Sequence, residues 1–195
     1  MNKILLIGCG HMGSALLKAW HNKTSNYFSV VDPNKYKILR RTYKRRVSIF
    51  QSIDKIQNTQ QFDIIIFAVK PQIATKVMRK FIGLKYNNKV LFVSVIAGKK
   101  ISFFNNFLPR NNQFVRVMPN MPSMIEEGVS CLVTNKNTSK QNKNIVTDLF
   151  GKIGKIYWLS NEKELDKVTA ISGSGPGYYF LFIDLFEKAA VKLGF

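Results

Sequence analysis

The sequence predicts an α/β protein with a doubly wound, mainly parallel sheet, followed by the start of an all-helical domain. Three observations favour this class: short apolar runs alternate with amphipathic segments, a glycine-rich turn follows the first run, and the composition changes near residue 160. The apolar runs are nearly continuous in Val, Ile, Leu and Phe, which is typical of strands buried on both faces. We therefore expect two parts, residues 1–160 and 161–195.

The alternation of strands and helices covers the first part of the chain. The predicted strands are Lys3–Ile7, Phe28–Val31, Ile64–Val69, Val90–Val95, Phe114–Val117, Val129–Val133 and Ile156–Leu159. The predicted helices are Met12–Trp20, Asn34–Arg41, Gln72–Phe81, Ile101–Leu108 and Lys140–Phe150. Parallel strands need such crossover segments, because each strand must begin again at the same edge of the sheet.

The second part is predicted to consist of two helices. Ser160 and the two residues after it offer an N-cap for a helix that reaches Ile171. The turn Ser172–Pro176 ends that helix, and a second one runs from Gly177 to Leu193. Its first half, Tyr178–Ile183, is apolar all round, which indicates burial against another surface.

The composition indicates a soluble cytoplasmic protein. Of the 195 residues, 46% are hydrophobic and 21% are charged, which excludes intrinsic disorder. The longest apolar runs are too short to cross a bilayer, and the first run ends at Gly8 with no cleavage site behind it. Two cysteines cannot build a disulfide framework, so we expect a reducing compartment.

The charge is strongly positive. The chain has 30 Lys and Arg against 11 Asp and Glu, a net charge of +19, which is typical of proteins with anionic partners. The basic residues are nevertheless scattered, apart from Arg40–Arg46, and that run contains one aromatic residue, Tyr43. The pattern therefore favours a solvated basic surface over a nucleic-acid-binding protein.

The turn Gly8-Cys9-Gly10-His11-Met12-Gly13 directly follows a buried strand and opens a helix. This spacing is the dinucleotide-binding pattern in its required context. Gly8 allows the tight turn, Gly10 lets a diphosphate approach the backbone, and Gly13 lets helix and strand pack closely. The helix N-terminus then offers N–H groups to the phosphates. We therefore expect a Rossmann-type dinucleotide-binding domain; the alternative is a purely structural turn.

Asp32 ends the second strand, where an acidic residue can bind the ribose hydroxyls of the cofactor. A carboxylate there favours NADH, because it repels the 2′-phosphate of NADPH. Asn34, Lys35 and Lys37 follow and are able to hold that phosphate instead. Asp32 also precedes Pro33, so it could simply form an Asx turn. The sequence leaves these alternatives open.

Five motifs in order carry a resemblance to a known family. They are Ile7–Gly13, Ala68–Gln72, Ser94–Gly98, Arg116–Pro122 and Ser172–Pro176. Together they resemble the pyrroline-5-carboxylate reductases, and the resemblance covers essentially the whole chain. It implies reduction of 1-pyrroline-5-carboxylate to L-proline with NADPH or NADH, the last step of proline biosynthesis.

The resemblance and the glycine turn together give the expected site. The predicted cofactor-binding residues are Ile7, Gly8, Cys9, Gly10, His11, Met12, Gly13, Asp32, Ser52, Ala68, Val69, Lys70, Pro71, Ile96, Ala97 and Asn120. The substrate-side candidates are Asn120, Ala97 and Ser174, and no metal-ligand spacing is present. The resemblance also implies that Ser172–Pro176 opens a dimerisation domain, so that the partner is a second copy of the chain.

The family continues beyond Phe195 with further helices that hold the substrate carboxylate and interlock with a partner subunit. Milder departures are Met121, Ser123 and Gly177, where the family usually has Thr, Ala and Ala. The resemblance thus implies a truncated reductase that binds nucleotide and whose turnover is reduced or lost. The alternatives are a non-catalytic nucleotide-binding protein and a hydroxyacid dehydrogenase, for which Lys167 is the nearest candidate base.

Overall fold

A computed structural model describes all 195 residues and contains one eight-stranded sheet. The strands are β1 Lys3–Ile7, β2 Tyr27–Val31, β3 Val47–Phe50, β4 Ile64–Phe67, β5 Leu91–Ser94, β6 Gln113–Pro119, β7 Gly128–Thr134 and β8 Gly154–Trp158. Their spatial order is β3-β2-β1-β4-β5-β6-β7-β8. Every neighbouring pair is parallel except β6 with β7. The predicted doubly wound, mainly parallel sheet is confirmed.

Helices cover both faces of the sheet. They are α1 His11–Lys23, α2 Tyr36–Thr42, α3 Ala74–Arg79, α4 Ile101–Asn105, α5 Lys140–Gly151, α6 Glu162–Val168 and α7 Gly175–Lys192. Buried side chains of α1, α2 and α5 pack on one face, and those of α3 and α4 pack on the other. Helix α6 covers the second face near its edge, where Leu165 contacts Cys131 and Val133 of β7. None of the helices has the length and apolar character needed to span a membrane.

The sheet separates two hydrophobic cores, which explains the continuous apolar runs. In β1, Ile4 and Leu6 enter the first core, whereas Leu5 and Ile7 enter the second. A strand that is buried on both faces needs apolar side chains at every position, not at alternate ones. The two cores together bury most of the Val, Ile, Leu and Phe residues of the central strands.

The structure corrects several predicted boundaries. Strand β3 was not predicted at all. The predicted helix Gln72–Phe81 is shorter, because Pro71–Ile73 forms a 3-10 turn before α3 begins. The predicted helix Ile101–Leu108 ends at Asn105. In both cases the apolar spacing continues past the helix, since loop residues such as Phe81 and Leu108 are also buried.

The segment after the sheet is helical, as expected, and one turn residue, Ser174, separates its two parts. The side chain of Asn161 caps α6 by accepting a hydrogen bond from the Glu164 N–H at 3.2 Å. The helix then widens into a π-helical turn at Thr169–Gly173 and continues as α7. The predicted interruption at Ser172–Pro176 is thus reduced to Ser174, and the second helix begins at Gly175 instead of Gly177. No residue of α7 is buried.

Candidate functional site

A cleft of about 440 Å³ lies at the carboxyl ends of β1, β2, β3 and β4. Strand β1 stands between β2 and β4, and the chain winds outward from it in both directions, which is where ligands bind in sheets of this kind. Half of the predicted cofactor-binding residues line this cleft: Ile7, Gly8, Gly10, Asp32, Ser52, Ala68, Val69 and Lys70. The fold thus brings together residues from four separate stretches of sequence.

The glycine turn has the geometry that a close approach of backbone requires. Gly8 has a φ of +93°, and a Cβ there would lie 2.7 Å from the carbonyl oxygen of Ala68. Gly13 packs so closely on Gly8 that a Cβ would overlap the Gly8 carbonyl oxygen. Around Gly10, in contrast, no heavy atom lies within 4 Å of the Cβ position. The turn is therefore tight against the protein and open toward the cleft.

Helix α1 begins at this open position. Gly10 is its N-cap residue, and no side chain caps the helix. The first N–H groups of a helix have no partner within the helix, so an uncapped N-terminus can donate to an anion. An open glycine and an uncapped helix end fit the diphosphate of a dinucleotide, which Gly8, Gly10 and the first turn of α1 would hold.

Asp32 is buried and holds the glycine turn. One carboxylate oxygen accepts the Cys9 N–H at 2.7 Å, and the other accepts the N–H groups of Asn34 at 2.9 Å and Lys35 at 2.8 Å. The bonds to Asn34 and Lys35 form the Asx turn that the sequence left open as an alternative. Asp32 therefore fixes the position of the turn after β1 against the end of β2.

Besides the eight predicted cofactor-binding residues, ten more line the cleft, among them Gln51, Ile73, Lys76, Val77 and Lys80. The last four of these follow Lys70 at helical spacing, so one face of the α3 segment forms a wall of the cleft. Lys80 pairs with Asp54 at 2.9 Å, and that ion pair lowers the pKa of the Asp54 carboxyl. The helical spacing after Lys70 was the signal that could have found this wall.

The remaining residues of the glycine turn lie behind or beside the cleft. Cys9 is fully buried, and burial raises the pKa of its thiol, so the side chain packs and does not react. His11 is exposed at the start of α1, and Met12 packs against the first core. Pro71 begins the 3-10 turn that leads into α3.

The substrate-side candidates follow the next strands of the same sheet edge. Ile96 and Ala97 come after β5, and Asn120 comes after β6, which is parallel to β5. The Oδ1 atom of Asn120 accepts the Val129 N–H at 2.8 Å. This bond orients the amide and leaves its Nδ2 donors without a protein partner. Ser174 is exposed, on the segment that follows α6.

A buried ion group joins α6 to the sheet. Arg116 of β6 is 1% exposed, and its guanidinium contacts Glu162 and Asp166 of α6, each at 3.0 Å. Glu162 also accepts the Ile101 N–H at 2.8 Å, which connects α4 to the same group. No local pattern indicates that Arg116 is buried, because arginine is usually exposed and the partners of Arg116 lie far along the chain.

The fold and the cleft define the class of the protein as a Rossmann-type oxidoreductase. Residues 3–98 match the family model described as NADP oxidoreductase coenzyme F420-dependent. Residues 162–195 match the family model for pyrroline-5-carboxylate reductase dimerisation. The chain belongs to the pyrroline-5-carboxylate reductase family, as its similarity to individual members shows.

Curated relatives match almost the whole chain. The pyrroline-5-carboxylate reductase of Haemophilus influenzae is 31% identical over 97% of this chain and 69% of its own length. The enzyme of Pasteurella multocida is 32% identical over 97% of this chain and 70% of its own length. This chain is thus shorter than both relatives.

Solved structures give the same result. Plasmodium falciparum pyrroline carboxylate reductase with NADP bound is 31% identical, with a TM-score of 0.77 over 100% of this chain and 71% of its own. The reductase of Streptococcus pyogenes is 28% identical, with a TM-score of 0.82 over 100% and 71%. Prephenate dehydrogenase of Aquifex aeolicus, at 16% identity and a TM-score of 0.72, shares the fold alone.

Proposed function

We propose that this protein reduces 1-pyrroline-5-carboxylate to L-proline with a reduced nicotinamide dinucleotide. One observation carries the proposal: the open glycine turn at Gly8–Gly13 lies at the same sheet edge as Ala97 and Asn120, in a chain of this family. The relatives named above are pyrroline-5-carboxylate reductases, and one of them has NADP bound in its crystal structure.

The chemistry asks little acid–base work of the protein. When bound, the cofactor supplies a hydride, and a protonated imine is already an electrophile. The protein's own residues then have to hold the two reactants in line and keep water away. Gly10 and the N-terminus of α1 bind the diphosphate in this proposal, while Ala97 and Asn120 border the nicotinamide. The free Nδ2 donors of Asn120 are available to the substrate.

We propose further that NADPH binds more tightly than NADH. The expectation of NADH rested on Asp32, but that carboxylate already accepts three backbone N–H groups. Lys70 and Lys76 line the cleft, and Lys35 lies beside it with its Nζ atom 3.2 Å from Ser14 Oγ. These ammonium groups favour the additional phosphate by roughly tenfold in affinity, about 1.4 kcal/mol.

The cofactor preference is tested by titrating the protein with NADPH and NADH. We expect Lys35→Gln and Lys76→Gln to weaken NADPH binding and to leave NADH binding within about twofold. Lys140→Gln on α5 is the matched control, because it removes one charge away from the cleft. Equal or tighter binding of NADH to the wild-type chain would contradict the preference for NADPH.

The activity is tested by nucleotide binding and imine reduction measured on the same preparation. Gly10→Val should retain the fold, since the space around Gly10 is open, but its side chain takes the space of the diphosphate. We expect it to lower nucleotide affinity at least about 100-fold. Gly151→Ala, which also meets no neighbouring atom, is the control. Nucleotide binding unaffected by Gly10→Val would refute the proposed site.

The second candidate function is nucleotide binding without turnover. The open glycine turn and the uncapped start of α1 favour it, because they account for dinucleotide binding without any contribution from the substrate side. Tight binding of NADPH together with no imine reduction would select this candidate. A hydroxyacid dehydrogenase has less support, since Lys167 is exposed on α6 and lies apart from the residues that line the cleft.

We also propose that residues 1–160 form the dinucleotide-binding domain and that residues 161–195 begin a dimerisation domain. The match of residues 162–195 to the dimerisation family supports a homodimer or a larger homo-oligomer. Phe182 is 66% exposed, so Phe182→Glu should weaken self-association without unfolding the chain. Sedimentation velocity measures this, with Lys188→Glu as the control on the same helix. A monomeric wild-type chain would refute the oligomer.

The two cysteines support a cytoplasmic location. Cys9 and Cys131 are both buried and unpaired. Free buried thiols are stable in a reducing compartment, and nothing in the fold depends on a disulfide. Fractionation of the native cells with an antibody against the protein tests this location.

A further inference from the structure

We propose that Arg116 is a positioning residue. It holds the helical segment Glu162–Gly173 in a fixed position relative to the sheet edge that carries Ala97 and Asn120. The proposal rests on the proposed function, because it concerns the place of Ser174 relative to Asn120. Arg116 lies in the middle of β6, and Asn120 directly follows the end of that strand. A group fixed to Arg116 is therefore fixed relative to Asn120.

The guanidinium makes two separate contacts with one helix. Its Nη1 atom lies 3.0 Å from Glu162 Oε1 and its Nη2 atom lies 3.0 Å from Asp166 Oδ1. Glu162 and Asp166 are four residues apart, about one turn of α6. The two contacts together therefore define the rotation of α6 about its axis and its position along that axis. A single contact would leave the helix free to turn about it.

The same group also reaches the third substrate-side segment. Glu162 Oε1 accepts the N–H of Ile101, which closely follows Ile96 and Ala97 along the chain. Lys100 adds a longer contact, with its Nζ atom 3.9 Å from Asp166. One buried arginine thus connects the three stretches that carry Ala97, Asn120 and Ser174.

The far end of the segment meets β6 a second time. Arg116 and Met118 point to the same face of the strand, because side chains alternate along it. A Cβ at Gly173 would lie 2.8 Å from Met118 Cε, so the π-helical turn rests directly on that methionine. Helix α6 and its turn therefore contact the same strand at both ends, through Arg116 and through Met118.

Lysine could replace Arg116 in this role only in part. The planar guanidinium offers several N–H donors in a fixed arrangement, and it reaches two carboxylates at once. An ammonium group at the same place is a single charge on a flexible stem. Arg116 is also almost fully buried, so its charge has to be compensated by these carboxylates in place of water.

The test compares hydrogen exchange in the wild-type chain and in Arg116→Met. We expect amides of Glu162–Gly175 to exchange at least about tenfold faster in the variant, with α1 and β1 unchanged. Arg116→Lys should show an intermediate rate, since it keeps one contact. Glu162→Ala removes the contact from the helix side and covers the case in which Arg116→Met does not fold. Asp148→Asn, which breaks a surface pair on α5, is the matched control.

Turnover gives a second readout that a purely structural role would not change. In Arg116→Met we expect kcat/KM for the imine to fall at least about tenfold, while the Kd for NADPH stays within about twofold, because Arg116 does not line the cofactor cleft. Arg116→Lys should recover part of this loss. Faster exchange throughout the sheet, or unchanged exchange in Glu162–Gly175, would overturn the proposal. A wild-type chain that binds nucleotide but does not reduce the imine would refute the proposed activity. The exchange data would still show whether Arg116 anchors Glu162–Gly173.

Discussion

The sheet body, residues 3–158, and helix α7 contain the same kinds of side chains in opposite surroundings. Phe67 of β4 is fully buried, and its ring packs against those of Phe81 and Phe104 at centroid distances of 5.0 and 5.9 Å. Phe182 of α7 is 66% exposed. Apolar composition therefore does not decide burial in this chain. The sheet body completes both of its cores from its own residues, whereas no residue of α7 is buried within the chain.

The largest expected effect separates these two regions by truncating one phenylalanine in each. Phe67→Ala should lower the free energy of unfolding by about 3–5 kcal/mol, because it leaves a cavity among packed rings. Phe182→Ala should change it by less than about 0.5 kcal/mol. Urea unfolding of both variants at low protein concentration measures the difference. A large loss from Phe182→Ala would show that α7 is packed within its own chain.

The second prediction compares ion pairs in the two regions. Neutralising both partners of Arg116 with Glu162→Gln and Asp166→Asn should lower the free energy of unfolding by about 2–3 kcal/mol. The buried positive charge then lacks the two negative charges that balance it. Asp184→Asn breaks the exposed pair with Lys188 on α7 and should cost less than about 0.5 kcal/mol. Chemical denaturation is again the measurement. Similar costs for the two changes would contradict the difference in burial.

A smaller effect concerns a polar atom within the otherwise well-packed sheet body. The Oγ atom of Ser123 is buried and has no hydrogen-bond partner. Ser123→Ala should therefore stabilise the protein by about 1 kcal/mol. Ser174→Ala, at an exposed hydroxyl beside α7, is the control and should have no measurable effect. Thermal unfolding compares the two, and a destabilised Ser123→Ala would show that the hydroxyl has a partner.

The smallest effect is a gradual fall in the free energy of unfolding at alkaline pH, which originates in the sheet body. Burial raises the pKa of the Cys9 and Cys131 thiols above 9.0 and raises the pKa of Tyr43 and Tyr86 above 10.0. A raised pKa means that the folded state keeps its protons longer than the unfolded state does. The contribution of these four groups to the free energy of unfolding is complete below pH 9. It is lost as the pH rises through their pKa values in the folded state.

Unfolding free energies measured between pH 7 and pH 11 test this loss. Cys9→Ala should reduce the slope above pH 9 and leave it unchanged below. Asn144→Ala on α5 is the control, since it removes a polar side chain that does not titrate in this range. A decline that begins well below pH 9 would contradict the role of the buried thiols.

The local patterns predicted most of the fold and eight of the residues that line the candidate cleft. The glycine turn was recognisable because its three glycines stand at a fixed spacing, directly after a buried strand and at the start of a helix. Strand β3 was missed because Val47–Phe50 is a short edge strand directly behind the basic run Arg40–Arg46. It has no buried residue, so it lacks the apolar continuity of the central strands.

The surroundings of Arg116 and Asp32 depend on contacts between distant residues, which sequence patterns do not contain. Arg116 is separated from Glu162 by 46 residues and from Asp166 by 50 residues. Only the fold brings them together, and a charged residue in a strand is normally expected at the surface. Likewise, the occupied carboxylate of Asp32 could not be distinguished from a free one without the positions of Cys9 and Lys35.

The widened turn at Thr169–Gly173 sets the direction in which α7 presents its residues. A π-helical turn adds about one residue to a helical turn, so every later side chain is rotated by about 100° around the helix axis. The face of α6 that packs on β7 through Leu165 therefore does not continue along the same side of α7. Deleting one residue within the turn would realign the two helices and send the aromatic side chains of α7 in a different direction.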